Sequence, residues 1–354
     1  MKHRLTALVL GVGGNVSQGI LKALARSPLS CRVIGACVSP LSAGLYTVDR
    51  AYVSPRADDP GFVAWLIATC RKEGVQAILS GVEPVLTALA LHAPKIQQES
   101  GAICIVSPPD CLSIGDDKFT TCQWLESRGL NFPRYAASEN RAALDKLVQA
   151  CGYPLFAKPR SGKSAQGLVE IRSPAELAYA ASLPGYVIQE YLGDPDSEYT
   201  AGCFSDRDGR VRGTIVMRRE LLQGTTYRAE TGEFLEIRAE AIRIATALRP
   251  MGPSNIQLRI SADGRPVCFE INVRFSGTTP IRARLGFNDV DAALRHFVLG
   301  EDATDLPLIT RGVALRYWNE MYIDSQAHSI LQDTGKLDEP KQFRLHVEDY
   351  GMGE

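Results

Sequence analysis

The sequence predicts an α/β protein made of two unlike parts, and three features carry that expectation. Over the first ~110 residues apolar strand-like runs alternate with helix-like segments, the pattern of an open, mostly parallel, doubly wound sheet. After Pro108-Pro109 the alternation gives way to helices and antiparallel hairpins, an α+β arrangement. A length of 354 residues suffices for two or three domains.

The elements follow in order. TALVLGVGG reads as a buried strand running into a glycine turn, VSQGILKALARSP as an amphipathic helix and CRVIGACVSP as a second strand. FVAWLIATCRKEG is a helix ending at Gly74, VQAILSG a third strand and GAICIVSP a fourth. DKFTTCQWLESRG and AALDKLVQACG are helices stopped by Gly129 and Gly152. YPLFAKP, GLVEIRS and YVIQEYL are short strands. TAGCFSDRDGRVRGTIVMRREL is a hairpin turned at Asp208-Gly209, and NIQLRISADGRPVCFEINVRFSG is another turned at Asp263-Gly264. EFLEIRAEAIRIATALRP between them is a helix, and VALRYWNEMYI is one strand-like run in an otherwise less readable C-terminal part.

Composition bounds the partners. A net charge of −1 with 22% charged residues creates no field that would gather nucleic acid or a membrane surface. Nine dispersed cysteines, none in C-x-x-C spacing, read as reduced core thiols. The basic, apolar start MKHRLTALVLG resembles a short leader, but Gly13-Gly14-Asn15 follows at once and favours a first strand. No apolar stretch reaches the ~20 residues that span a bilayer. The expectation is a soluble, cytoplasmic protein.

Two glycine loops invite a phosphate. FAKPRSGKSAQG, residues 156–167, ends like a Walker A loop in Gly162-Lys163-Ser164, yet Ala157 stands where that motif needs glycine. The loop also leads into a second strand instead of a helix. As a hairpin tip it still offers a cradle of Ser161, Gly162, Lys163, Ser164 and Gly167, with Lys158 and Lys163 as compact cations. The bland alternative is a solvent-facing hairpin with incidental lysines. In the N-terminal loop, Val16 replaces the third glycine of a dinucleotide fingerprint, and the second strand ends in Cys37-Val38-Ser39-Pro40 without a carboxylate. A tight turn packing a helix on a sheet is the better reading there.

The hairpin at 255–274 carries the sharpest chemistry. Glu270 and Asn272 share a strand face, and pairing across the turn brings Gln257 beside them. One acid and two amide oxygens suit a hard cation that bridges nucleotide phosphates. Arg274 continues the face as a partner for a phosphoryl group or carboxylate. Phe269, Ile271 and Val273 alternate with these polar residues as on a half-buried strand.

The ordered set Asp117-Lys118, Phe156-Ala157-Lys158-Pro159, Ile188-Gln189-Glu190-Tyr191-Leu192 with Glu198, Gln257, and Glu270-Ile271-Asn272-Val273-Arg274 resembles the ATP-grasp superfamily over roughly residues 1–300. The likeness is to its carbamoyl-phosphate-synthase-like and carboxylate–amine ligase branch. It implies a Rossmann-like pre-ATP-grasp domain at 1–112 and a two-lobed ATP-grasp domain at 113–300. The small lobe would span about 130–190 and the large lobe about 191–300, with a C-terminal extension, 301–354, completing the large lobe.

The resemblance also implies roles. Lys118 and Lys158 would contact ATP phosphates, Gln189, Glu190, Tyr191 and Leu192 would form the adenine linker, and Glu198 would bind ribose. Gln257, Glu270 and Asn272 would hold Mg²⁺, with Mn²⁺ as a substitute. Gln257 stands where many members carry an acid. Arg274, Lys158 and Asn272 are the implied catalytic set. Arg218, Arg219, Thr226, Arg228, Ser276, Gly277 and Thr278 are candidate substrate contacts. Plainer readings stand beside these. Lys118 could merely start a helix capped by Asp116, Glu198 could be an exposed loop acid, and Arg218 and Arg219 could be surface charges at a strand end. The loop 276–279 could simply precede a helix starting near Pro280.

The implied activity is ATP-dependent: a small carboxylic acid becomes an acyl-phosphate and is joined to an amine, releasing ADP and phosphate. Carboxyphosphate formation and a non-catalytic nucleotide-binding regulator are the alternatives. The implied partners are small-molecule carboxylates and amines, and the branch allows a homodimer.

Overall fold

The computed structural model describes residues 5–162, 167–193, 197–303, 306 and 311–347. The first sheet is built from β1 (Leu5–Leu10), β2 (Cys31–Cys37), β3 (Arg50–Val53), β4 (Ala77–Ser80) and β5 (Ile103–Cys104), all parallel, in the order β3-β2-β1-β4-β5. Every residue of the central β1 is buried, as a strand covered on both faces must be. β3 was not anticipated, so VQAILSG and GAICIVSP supply the fourth and fifth strands. Helices α1 (Asn15–Leu24), α2 (Phe62–Glu73) and α3 (Glu83–Ser100) connect them. The glycine turn after β1 is a packing device: Gly11 has φ +72°, and a Cβ there would meet Val82 at 2.3 Å.

Glu73, the last residue of α2, ties this domain together. Its carboxylate accepts hydrogen bonds from Tyr52 (2.5 Å), Arg50 (2.8 Å) and Arg32 (2.6 Å), joining the helix to β3 and β2.

Two further helices, α4 (Pro109–Asp116) and α5 (Lys118–Ser127), lead into a four-stranded antiparallel sheet. α4 crosses the boundary expected at 112. The cap of α5 is Asp117, which accepts from the amides of Phe119 (2.8 Å) and Thr120 (3.1 Å), so Asp116 is not the cap. The sheet contains β6 (Tyr135–Ala137), β7 (Leu155–Pro159), β8 (Val169–Ile171) and β9 (Tyr186–Glu190), ordered β6-β9-β7-β8. α6 (Arg141–Cys151) and α7 (Pro174–Ala181) supply Leu144, Leu147 and Leu177 to its separate core. β7 and β8 pair antiparallel, so the glycine-lysine loop joins two strands of a hairpin.

The second large sheet runs β14-β13-β10-β11-β12-β15. Its strands are β10 (Glu198–Ser205), β11 (Val211–Leu222), β12 (Thr225–Thr231), β13 (Gly252–Ile260), β14 (Pro266–Asn272) and β15 (Val313–Leu315), with α8 (Leu235–Leu248) packed on one face. α9 (Thr279–Arg284) and α10 (Asp289–Ala293) pack against α1 of the first domain. Arg282 and Asp289 form a wholly buried ion pair at 2.6 Å. Gly202 makes room for it, since a Cβ there would lie 2.1 Å from the guanidinium.

The C-terminal part departs from expectation. VALRYWNEMYI forms two strands in different sheets, β15 and β16 (Met321–Ile323). Only β15 extends the large-lobe sheet. After α11 (Ser325–Thr334), β17 (Lys336–Asp338) adds antiparallel to β3 of the first sheet, and β18 (Arg344–Val347) pairs with β16. The extension therefore closes the first domain as well as the large lobe.

The Glu73 junction makes a pH prediction. Burial alone would raise the pKa of its carboxyl, but the bonds from Tyr52, Arg50 and Arg32 outweigh it and bring the value down from 4.5 to about 2. A depressed folded-state pKa adds stability that is complete above the unfolded-state value and is lost as pH falls towards the folded one. Urea-unfolding midpoints should therefore drop between pH 4.5 and about 2, and Glu73→Gln should flatten that limb while lowering the neutral-pH plateau. An unchanged acid limb in the variant would contradict the assignment.

Candidate active site

The site begins with an irregularity in β14. Gln257 pairs with Glu270 but Leu258 pairs with Cys268, which leaves Phe269 as the extra residue of a β-bulge. The bulge changes which side chains share a face. Cys268, Ile271 and Val273 enter the main core, whereas Val267 and Phe269 cluster with Leu192, on the side of Glu270. Phe269 is thus not part of the apolar face its alternation suggested. Its ring lies under Lys158, whose Nζ is 4.9 Å from the centroid, and near Arg259 at 5.8 Å.

The expected metal residues come together around one oxygen. Glu270 Oε1 accepts from the amide nitrogens of Asn272 (2.8 Å) and Gln257 (3.1 Å). The oxygen of Gln257 accepts from Arg219 at 2.7 Å, so this amide bridges an arginine to Glu270 and its oxygen is engaged elsewhere. Among the described residues no three acidic, histidine or cysteine side chains gather as a ligand set. Glu270, with the oxygen of Asn272 after an amide rotation, makes a sparse hard-oxygen set. Such a set fits Mg²⁺ that keeps most of its coordination for water and phosphate oxygens.

The cations divide into tethered and untethered. Arg160 grips Asp117 through two nitrogens, at 2.9 and 2.7 Å. Glu198 is buried between Arg219 (2.7 Å) and Arg259 (2.7 Å). It opens β10 and is not an exposed loop acid, and a ribose would have to share its oxygens with two guanidiniums. Arg274 pairs with Glu83, the first residue of α3, through Nε at 2.9 Å and through a second nitrogen. Among the described residues the lysines lack such partners, and Lys118 makes only a long contact to the Gly162 carbonyl, 3.4 Å. Lys158 is half-buried, and burial brings its pKa down to about 8, with Glu270 opposing the shift and Arg259 adding to it.

A cleft of about 330 Å³ runs along this wall, lined by Glu83, Lys118, Gly162, Glu270, Asn272 and Arg274 among others. Ser161 lines it too, and Gly167 lies at the far side of the hairpin with φ +72°. Lys163 and Ser164 lie outside the described residues.

At the linker, Leu192 is buried against Val267 and Phe269 in a small apolar cluster. The Tyr191 ring packs on Phe156 at 5.4 Å. Glu190 is held at both backbone and side chain by Arg134, whose amide donates to its carboxylate at 2.9 Å. Gln189 is buried and donates to Cys122 Sγ at 3.1 Å, which turns it inward, away from the cleft.

The candidate substrate residues divide. Arg218 and Arg219 lie within β11, not at its end. Arg219 is buried and donates to Thr226 (3.3 Å) as well as Glu198. Arg218 and Arg228 are exposed on a second cleft of about 250 Å³, paired with Glu230 (2.6 Å) and Glu220 (3.2 Å). Thr226 belongs to β12, so the Gly224 turn is shorter than expected. Ser276 and Thr278 are buried and bonded to each other at 2.8 Å, and the Gly277 carbonyl accepts from Arg316. Their polar groups serve the loop itself.

Sequence reasoning missed Glu83, Arg259 and the placement of Phe269. The only signal for Glu83 was a Glu-Pro pair after the strand-ending Ser80-Gly81, a plausible helix start.

Comparison with known proteins agrees with this architecture. Residues 8–105 match the family described as PylC-like, N-terminal domain, and residues 182–321 match one described as ATP-grasp in the biosynthetic pathway with Ter operon. The carbamoyl phosphate synthase large chain of Neisseria meningitidis serogroup B is 25% identical over 304 residues, covering 78% of this chain and 27% of that protein. The chain therefore spans about a quarter of the length of that relative. A formate-dependent phosphoribosylglycinamide formyltransferase from a Synechococcus species is 27% identical over 216 residues, 58% of this chain and 52% of that one. Among solved structures, N5-carboxyaminoimidazole synthetase from Staphylococcus aureus, complexed with ADP, superposes with a TM-score of 0.70 at 15% identity, over 94% of this chain and 86% of that one. An L-amino acid ligase from Bacillus licheniformis gives 0.63 at 19% identity, over 84% and 74%. Residues 8–105 thus match a PylC-like N-terminal domain and residues 182–321 an ATP-grasp family, and over nearly its whole length the chain shares the fold of the synthetase from Staphylococcus aureus.

Proposed function

We propose that this chain is an ATP- and Mg²⁺-dependent carboxylate–amine ligase. The observation that carries the reading is the gathering of Lys118, Glu270, Asn272 and Arg274 at one cleft, with Lys158 standing over the ring of Phe269, which precedes Glu270 and clusters with Leu192 and Val267. A base would lie against that apolar cluster and the phosphates would run towards the two lysines. Glu270 and Asn272 would hold Mg²⁺, which when bound offsets the charge of the triphosphate. Arg274 would meet the transferring phosphoryl group.

A substrate carboxylate oxygen bonds to the γ-phosphorus as the bond to ADP breaks. The amine then attacks the acyl carbon, phosphate leaves, and the amine nitrogen sheds its proton. Catalysis of this kind is positioning plus charge stabilisation and needs no enzyme nucleophile. The cysteines near the site suit none: burial pushes the Cys122 thiol up to about 12 and Cys268 well above its ordinary value.

Pooled carboxylates crossed with pooled amines, amino acids included, should stimulate ADP release only in matched pairs. Glu270→Ala should lower kcat by on the order of a hundredfold or more, the scale of losing a preorganised charge-stabilising group. Release driven by bicarbonate alone would replace this reading with carboxyphosphate formation. ATP binding without stimulation by any pool would favour a regulator.

Lys158 supplies a pH test. It binds phosphate as the cation, so kcat/KM for ATP should fall as pH rises through the free-enzyme value of about 8. Lys158→Met should remove that limb and lower kcat/KM at neutral pH. A wild-type profile flat through this range would reject the phosphate role.

A further inference from the structure

The pairing of Arg274 with Glu83 joins residues 191 positions apart and belonging to different domains. Both side chains are largely enclosed, at 14% and 24% exposure. Glu83 stands at the N-terminal end of an 18-residue helix, where the helix dipole favours a carboxylate. Its Oε1 takes the Nε–H and one terminal N–H of Arg274, and the Phe275 carbonyl takes an N–H of the other terminal nitrogen at 2.9 Å. A guanidinium has five N–H groups. Among the described residues, the bonds to Arg274 leave one on each terminal nitrogen, a two-pronged donor matched to a phosphoryl or carboxylate group.

Glu270 lines the same cleft. An arginine without its own carboxylate would be attracted to Glu270 and would neutralise the acid expected to hold the metal. The tether from α3 removes that competition and fixes the guanidinium plane.

We propose that Glu83 is a positioning residue: its ion pair orients Arg274 so that the two remaining N–H groups meet the transferring phosphoryl group. This rests on the ligase reading above, and it gives the first domain a direct part in the chemistry. Neither Glu83 nor its helix was singled out by any motif in the sequence.

The test uses full-length protein and a probe that needs no knowledge of the substrates: MgADP with and without aluminium fluoride, which mimics a transferring phosphoryl group. Wild-type protein should bind MgADP at least about tenfold more tightly when fluoroaluminate is present, as transition-state mimics do. Glu83→Gln should lose most of that gain while its affinity for MgADP alone stays within about twofold. Glu83→Asp, which keeps the charge at a shorter reach, should restore part of it. In an Arg274→Ala background Glu83→Gln should change nothing further, because a residue that acts through another gives non-additive losses. Should Glu83→Gln melt at a markedly lower temperature, the Glu83→Asp protein decides, and it must still show a reduced gain. A full gain in Glu83→Gln, or losses that add in the double variant, would overturn the proposal. Wild-type protein without any gain would overturn the phosphoryl-transfer reading itself, and the role of Glu83 with it.

Discussion

One extra residue in one strand organises this site. A regular antiparallel pair would send Phe269 to the core side with Ile271 and Val273, because side chains alternate strictly along a strand. The bulge at Phe269 reverses the parity of everything before it. Val267 and Phe269 thereby join Leu192 on the cleft side, next to the polar residues Glu270 and Asn272. An apolar floor and a charged wall on the same stretch of sheet is what a nucleotide requires, with a base at one end and phosphates at the other. Bulges that re-aim side chains beside functional sites are a recurrent use of this irregularity.

The electrostatics follow from the same geometry. Around the cleft the arginines are spoken for: Arg160 by Asp117, Arg219 and Arg259 by Glu198, Arg274 by Glu83. Each pair is partly or wholly withdrawn from water, where leaving a guanidinium or carboxylate alone would be costly. Lys158 is held differently, over an aromatic face and with its proton weakened by burial. Under the proposed reading the arginines are the frame, and a bound phosphate would add counter-charge to the lysines.

The legible parts of the sequence were those in which local chemistry decides structure. β1, the hairpins turned at Asp208-Gly209 and Asp263-Gly264, and the helices stopped by Gly74, Gly129 and Gly152 all form as expected. The cross-strand partnership of Gln257 with Glu270 was also readable, since it follows from hairpin register. The bulge was not, because Phe269 looks the same in a regular strand. Nor was the Glu83–Arg274 pair, which joins the start of α3 to the residues just after β14 across 191 positions of sequence. The amide of Gln257 shows the limit most clearly. Its place was foreseeable, but the direction of its oxygen is set by Arg219, 38 positions away. The C-terminal return to β3 likewise depends on a long-range strand pairing with no local mark.

The distribution of apolar contact explains why the site lies where it does. Two hydrophobic clusters run without interruption from the first domain into the large lobe: Leu8 and Ile34 share one with Ala201 and Ile256, and Leu5 and Ala7 share the other with Phe204 and Phe275. β17 crosses back to the first sheet and fastens the same pair a second time. The small lobe has its own core, built around Leu144, Leu155 and Ile188. The molecule therefore has one broad base and one separately packed piece. The base carries Glu270, Asn272, Arg274 and Glu83, while Lys158 belongs to the small lobe. A ligand lying between them completes charge interactions that neither body satisfies alone. Because apolar burial is the dominant favourable term in packing, adjusting the small lobe around such a ligand costs less than disturbing the base. Under the proposed reading, Glu270 and Arg274 stay fixed relative to each other, while Lys158 belongs to the separately packed piece.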